Sequence, residues 1–284
     1  MQRFYPVLFV FLWSTGFIGA KYGLPFADPL SFLLARYGLV IALMTAIALL
    51  TRAPWPKTPV QWLHIGVSGV LVHAVYLGGV FIAIKHGLPA GVTALVVGMQ
   101  PLLTACGAGW LLGEKVSGRQ WTGLALGFAG VGLVVSGKFG DAAALGPMLL
   151  PAVIALFGIT VGTLYQKRYC ARFDLRTGSV IQFVPTALVT AIAIALTGEF
   201  QIEWNGQFVF ALGWLVLVLS IGAIGLLNLL IRSGSAVNVA SLFYLTPPTT
   251  ALIAWAVFGE ILTLTATAGM LLAVSGVYLV ARAK

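Results

Sequence analysis

Stretches of about twenty apolar residues recur ten times along this 284-residue chain, and the gaps between them are too short to hold a soluble domain. A bilayer core of about 30 Å needs roughly 20 helical residues at a rise of about 1.5 Å each. The first five stretches are Tyr5–Ala20, Leu30–Leu50, Trp62–Ile84, Leu88–Leu112 and Gly118–Ser136. The second five are Pro147–Gln166, Thr177–Leu196, Phe208–Ile231, Ala236–Phe258 and Leu262–Val280. The first is short, and the sixth contains Pro151. The chain is 60% apolar and 8% charged, where soluble domains carry about 25% charged residues. Lipid, rather than a protein interior, must therefore cover most of this surface. The expected fold is an all-α integral membrane protein of ten transmembrane helices. Only Arg3 precedes the first stretch and no small-residue cleavage site follows it, so it is read as a retained span.

Charge distribution sets the orientation. The net charge of +9 does not point to nucleic acid, because the basic residues sit in the short gaps and form no stripe. With the N-terminus inside, the inner side holds twelve Lys and Arg, among them Arg52, Lys57, Lys115, Lys167, Arg176 and Arg232. The outer side holds three: Lys21, Lys85 and Lys138. Cytoplasmic loops retain positive charge, so the reading is a multi-pass protein of the cell inner membrane with both termini cytoplasmic. Cys106 lies in an apolar run and Cys170 in a basic loop, so no disulfide is expected.

The chain also matches itself. An ungapped shift of 146 residues places Ala90, Pro101, Thr104, Gly113 and Glu114 on Ala236, Pro247, Thr250, Gly259 and Glu260. Fourteen identities fall in the 45 pairs from Ala90/Ala236 to Val134/Val280. Five spans per half is an odd number, so the second copy enters the membrane in the opposite sense. Two inverted repeats, residues 1–140 and 141–284, are expected to enclose a central cavity with a solute site near the bilayer midplane.

At this point the residues resemble a known family. Leu12-Trp13-Ser14-Thr15-Gly16-Phe17, Asp28-Pro29-Leu30 with Arg36, Gly98-Met99-Gln100-Pro101-Leu102-Leu103, Gly113-Glu114, Thr246-Pro247 and Gly259-Glu260 follow in order along the whole chain. Together they are similar to the EamA-type permeases of the drug/metabolite transporter superfamily. The resemblance implies export of amino acids and other metabolites from bacteria, the YddG-type exporters of aromatic amino acids being one branch.

Candidate site residues are polar or aromatic groups deep in spans, where an unpaired polar group is costly unless it faces protein or water. Met99, Gln100, Phe243 and Tyr244 flank the prolines Pro101, Pro247 and Pro248, which are expected to kink the fourth and ninth helices and free backbone carbonyls. Packing alone also explains such kinks. Trp13, Phe17, Tyr76 and Phe157 are candidates for an aromatic cage. His73 lies mid-span and either titrates in function or packs as a hydrogen-bonded core residue. Arg36 has three uses open to it: snorkelling outward, pairing with Asp28, or meeting a substrate carboxylate; structural pairing is the expected one. Glu114 and Glu260 are read as helix-hairpin fasteners.

No Asp or Glu falls in the middle of a span, where ion-coupled carriers place their coupling carboxylates. The expected function is alternating-access transport of small neutral or zwitterionic metabolites, amino acids with large or aromatic side chains included, without such a coupling site. A proton-coupled exporter of multiple drugs or organic cations is the alternative. An intramembrane enzyme lacks a paired-acid, metal or Ser-His set in this chain. No cofactor and no metal is expected; the partners are a small-molecule substrate and the lipid bilayer, with the protein a monomer or weak homodimer.

Overall fold

The structure, a computed structural model, describes residues 4–88, 90–136, 146–170, 173–198, 200–258 and 262–283. The described residues build fourteen α-helical segments. The first seven are α1 (Tyr5–Gly23), α2 (Pro29–Leu50), α3 (Pro59–Gly69), α4 (Tyr76–Lys85), α5 (Ala90–Val97), α6 (Gln100–Leu112) and α7 (Gly118–Val135). The second seven are α8 (Gly146–Tyr169), α9 (Leu175–Thr197), α10 (Gly206–Trp214), α11 (Ile224–Ser233), α12 (Ala236–Ser241), α13 (Thr246–Phe258) and α14 (Leu264–Arg282). A π-helical stretch, Val70–Val75, fuses α3 to α4, and another, Leu215–Ala223, fuses α10 to α11.

Nine rods among the described residues are long and apolar enough to cross a membrane. The helix outside that set is α7, of 18 residues. Its first turn carries Arg119 and Gln120, and these polar residues dilute an otherwise apolar run.

Helix starts follow local chemistry. Pro29 and Pro59 occupy first turns, where their missing N–H costs nothing. Ser117 and Gln120 form a reciprocal capping box on α7, and at the corresponding place Thr263 accepts the Ala266 N–H on α14. The correspondence is general. Residues that begin α2 and α9 (Pro29, Leu175), α5 and α12 (Ala90, Ala236), α6 and α13 (Gln100, Thr246), and α7 and α14 (Gly118, Leu264) stand 146 positions apart. The two π-helical stretches overlap at the same offset.

The prolines of the fourth and ninth spans act differently from the expected kink. Each span breaks outright, at Gly98–Met99 and through a 3-10 turn at Leu242–Leu245. Pro101, Pro247 and Pro248 then lie in the first turns of α6 and α13. A proline there removes no intrahelical hydrogen bond, so starting a helix is its lower-energy use. The prolines inside helices are Pro151 of α8 and Pro185 of α9.

Two closely packed regions hold the bundle. α7 crosses α14 antiparallel through glycines. A Cβ added at Gly123 would meet the Gly276 carbonyl oxygen at 2.6 Å, and one at Gly130 would meet that of Gly269 at 2.6 Å. These two contacts exchange under the 146-residue shift, as they must if a two-fold axis passes between the helices. Around α1, α2, α4, α9, α10 and the second π-helical stretch lies the largest apolar core, with Phe9, Phe32, Tyr37, Phe183 and Phe208 fully buried.

Loops tie the ends together. At one end Asp28 N–H donates to the Gln201 carbonyl at 3.0 Å, Glu203 N–H to Phe26 at 2.7 Å, and Lys85 pairs with Asp28 at 3.6 Å. At the other end the Thr177 hydroxyl donates to the Pro54 carbonyl at 2.9 Å. Lys167 there donates to the carbonyls of Ile231 and Gly234.

Candidate functional site

At the centre of the bundle four aromatic rings pack on one another. Trp13 of α1 lies parallel to Tyr76 of α4, ring centres 6.5 Å apart, and edge-on to Phe243 at 5.2 Å. Phe9 completes the group, at 5.3 Å from Trp13 and 5.4 Å from Phe243. Three predicted residues, Trp13, Tyr76 and Phe243, are thus brought together, and Phe9 was not anticipated. It sits one turn before Trp13, a spacing that places both on one helix face. The side chain of Phe17 lies outside the described residues.

Next to the rings is a polar layer. His73 is buried, stacked on Phe183 of α9 at 4.4 Å and beside the Gln182 side chain, and neither ring nitrogen makes a well-formed hydrogen bond. The Tyr37 hydroxyl donates to the His73 carbonyl at 2.8 Å. Arg36, beside Tyr37, is 1% exposed. Its Nε donates to the Ser220 hydroxyl at 2.8 Å, while one terminal nitrogen has no hydrogen-bond partner. This overturns the expected pairing of Arg36 with Asp28, whose carboxylate is turned to Lys85. Snorkelling is ruled out by burial. A guanidinium held at this depth costs on the order of 3 kcal/mol or more, so something must compensate it.

Gln182 and Gln166, neither singled out from the sequence, complete the polar layer. The Gln182 amide donates to the Ser68 hydroxyl at 3.2 Å and to Gln166 Oε1 at 3.3 Å, and Gln166 donates to Asn228 Oδ1 at 2.8 Å. Interhelical bonds of this kind contribute about 0.6 kcal/mol each. Asn228 and Asn238 both bond across helices, Asn238 Oδ1 accepting from Gln120 at 3.3 Å. An amide inside an apolar run was the available signal for Gln182; Gln166 was hidden because it stood at a span's end.

Gln100 is buried with an unpartnered Oε1, in a void of about one water's size that Thr163, Lys167 and Phe243 also line. Other expected residues lie elsewhere. Tyr244 is fully buried against Gly127 of α7, away from the rings. Phe157 is 54% exposed on an apolar stripe with Leu150, Ile154 and Val161 and is not among the packed rings. Met99 belongs to a similar exposed stripe with Cys106 and Trp110. Neither is brought to the ring cluster, because the periodicity of an apolar helix does not distinguish its outer face from its inner one.

Glu114 also departs from expectation. Its carboxylate accepts the Ala236 N–H at 3.0 and 3.1 Å. It thereby caps α12 rather than closing its own hairpin, drawn by the free amides and positive end of that helix. Glu260 lies outside the described residues. Among the described residues no three His, Cys, Asp or Glu cluster as a metal site.

Beyond the bundle a cleft of about 380 Å³ opens between Trp55, Lys57, Tyr169, Cys170 and Asp174. Arg176 hydrogen bonds hold the Asp174 carboxyl below its usual range. Burial pushes the Cys170 thiol up to about 11. Thiolate is the reactive form, so in a Cys106→Ala background maleimide labelling at pH 7 is expected to run about a hundredfold slower than at an exposed thiol. It should climb about tenfold per pH unit toward pH 10. Labelling at the ordinary rate would contradict the burial.

The fold and this core define a multi-pass helical membrane protein with polar and aromatic groups at its centre, and comparison gives its family. The model of the EamA-like transporter family matches residues 4–136 and again residues 146–282. The chain belongs to the EamA-like transporter family. It is 29% identical to the transporter YvbV of Bacillus subtilis over 95% of this chain and 88% of that one. It is 28% identical to the inner membrane transporter YedA of Escherichia coli K12, over 89% and 81%. A Salmonella typhimurium protein described as a probable amino-acid metabolite efflux pump is 26% identical over 97% and 93%. A solved crystal structure at 20% identity superposes with a TM-score of 0.79, covering 98% of this chain and 96% of its own, and so shares the fold. Family and relatives are transporters, which fits a protein that is not an enzyme.

Proposed function

We propose that the protein exports small neutral or zwitterionic metabolites, amino acids with large or aromatic side chains among them, by alternating access. In this reading ten helices, α7 supplying the tenth crossing, form two five-helix halves, residues 1–140 and 141–284, inserted in opposite senses with both termini cytoplasmic. The observation that carries it is the ring cluster: Trp13 and Tyr76 come from the first half, Phe243 from the second. A solute held among them touches both halves, so rocking one half on the other would expose it to either side in turn. The repeated helix boundaries, the exchanging glycine contacts and the doubly matching family model support the two halves. The name of the Salmonella relative supports amino acids.

Aromatic faces also suit organic cations, but the buried Arg36 disfavours a positive guest. With no carboxylate mid-span, the solute is proposed to move down its own gradient. Counterflow in proteoliposomes with phenylalanine, tryptophan, leucine and tetraphenylphosphonium tests the reading. Saturable amino acid exchange, unchanged by an imposed pH gradient, is expected. Exchange of the cation alone, or strong acceleration by the gradient, would refute it.

A further inference from the structure

We propose that Arg36, His73 and Gln182 form a head-group site for a carboxylate-bearing zwitterion, with the Arg36 guanidinium holding the carboxylate. The inference rests on the carrier reading and narrows its substrate class. All three side chains are 1% exposed, His73 lies beside Gln182, and each has a buried polar atom that makes no well-formed hydrogen bond: an Arg36 terminal nitrogen, both His73 ring nitrogens and Gln182 Oε1. They belong to one locus. Tyr37, next to Arg36, bonds to the His73 backbone, while Phe183, next to Gln182, stacks on the His73 ring.

The positions of Arg36 and Gln182 are themselves related, standing 146 residues apart on α2 and α9. Each half therefore presents its second helix to the centre with a different polar group, a cation from one and an amide from the other. That asymmetry matches a solute with two unlike poles. A guanidinium fork fits a carboxylate with two parallel hydrogen bonds. An amide oxygen and a neutral imidazole nitrogen accept hydrogen bonds from an ammonium group.

Among the described residues no acidic group pairs with Arg36. Asp28 pairs with Lys85, Asp174 with Arg176, and Glu114 with the Ala236 amide. Tyr76, one turn beyond His73, carries the site to the aromatic rings, where the apolar side chain of the solute would lie.

The test uses the full chain, wild type, Arg36→Gln and Arg36→Lys. Phenylalanine, 3-phenylpropionate and 2-phenylethylamine are compared by counterflow and by thermal stabilisation in detergent. Wild type is expected to exchange phenylalanine at least tenfold faster than the amine. Arg36→Gln should lose phenylalanine exchange and stabilisation at least tenfold, and Arg36→Lys, keeping charge but not the fork, should fall between. Folded Arg36→Gln handling phenylalanine like wild type would overturn the proposal. If neither variant folds, the wild-type preference decides: equal handling of amine and amino acid overturns the site but leaves the carrier reading intact. Stabilisation by phenylalanine without exchange supports the site and counts against the carrier. Neither stabilisation nor exchange by any carboxylate overturns the site.

Discussion

Gly130→Val is expected to yield little folded protein and to lower the melting temperature of what remains steeply. A Cβ at Gly130 would stand 2.5 Å from the Ala273 nitrogen and 2.6 Å from the Gly269 oxygen. Both are backbone atoms of α14, and a helix backbone cannot yield locally as a flexible side chain can. The helices must part, at a cost of about 3 kcal/mol for overpacking, and the loss spreads along the crossing to Gly123 and Gly276. Gly269→Val should do the same from the other side, because the contacts are reciprocal. Gly132→Ala is the control: it lies on the same helix with nothing within 4 Å of an added Cβ. Fluorescence-detected size-exclusion chromatography after heating reads all three. A Gly130→Val protein as stable as Gly132→Ala would contradict the antiparallel crossing.

Trp13→Ala is expected to reduce counterflow by about two orders of magnitude, beyond its effect on the amount of folded protein. The indole is 5% exposed and touches the rings of Tyr76 and Phe243, so truncation removes the surface on which an aromatic or aliphatic side chain would rest. Aromatic pairs of this kind contribute about 1 kcal/mol beyond area burial. The cavity left behind also costs about 3–5 kcal/mol of stability, so exchange is normalised to folded protein. Trp13→Phe should restore part of the rate. Phe157→Ala, on the exposed stripe of α8, should leave exchange near wild type. Equal rates in Trp13→Ala and Phe157→Ala would remove the ring cluster from the mechanism.

Much of this was legible in the sequence because membrane insertion imposes simple rules. Apolar run length marked the helices, and the shift of 146 that aligned Pro101 with Pro247 also relates the starts of α2 and α9, where residue identity has faded. Helix boundaries persist because caps and prolines set them, whereas lipid-facing positions accept any apolar residue. Less visible were properties that depend on which face turns inward. Phe157 and Phe9 are the same residue type in apolar helices, yet one is 54% exposed and the other 0%. Periodicity was silent because both sides of these helices are apolar. The partner of Glu114 was equally hidden, since a carboxylate after a helix suits its own hairpin until a foreign helix end is found within 3.1 Å. For Arg36 a nearby carboxylate in sequence, Asp28, suggested a pair that Lys85 had already taken.

The arrangement of two oppositely inserted halves is tested most directly by sided labelling. Gly118→Cys and Leu264→Cys, each alone in a Cys106→Ala, Cys170→Ala background, place a thiol at the exposed first residues of α7 and α14, matched positions of the two repeats. In sealed right-side-out vesicles an impermeant maleimide should label Leu264→Cys at once, and Gly118→Cys only after the membrane is opened. Labelling of both from the same side would contradict the inverted pair, and with it a solute site shared between halves.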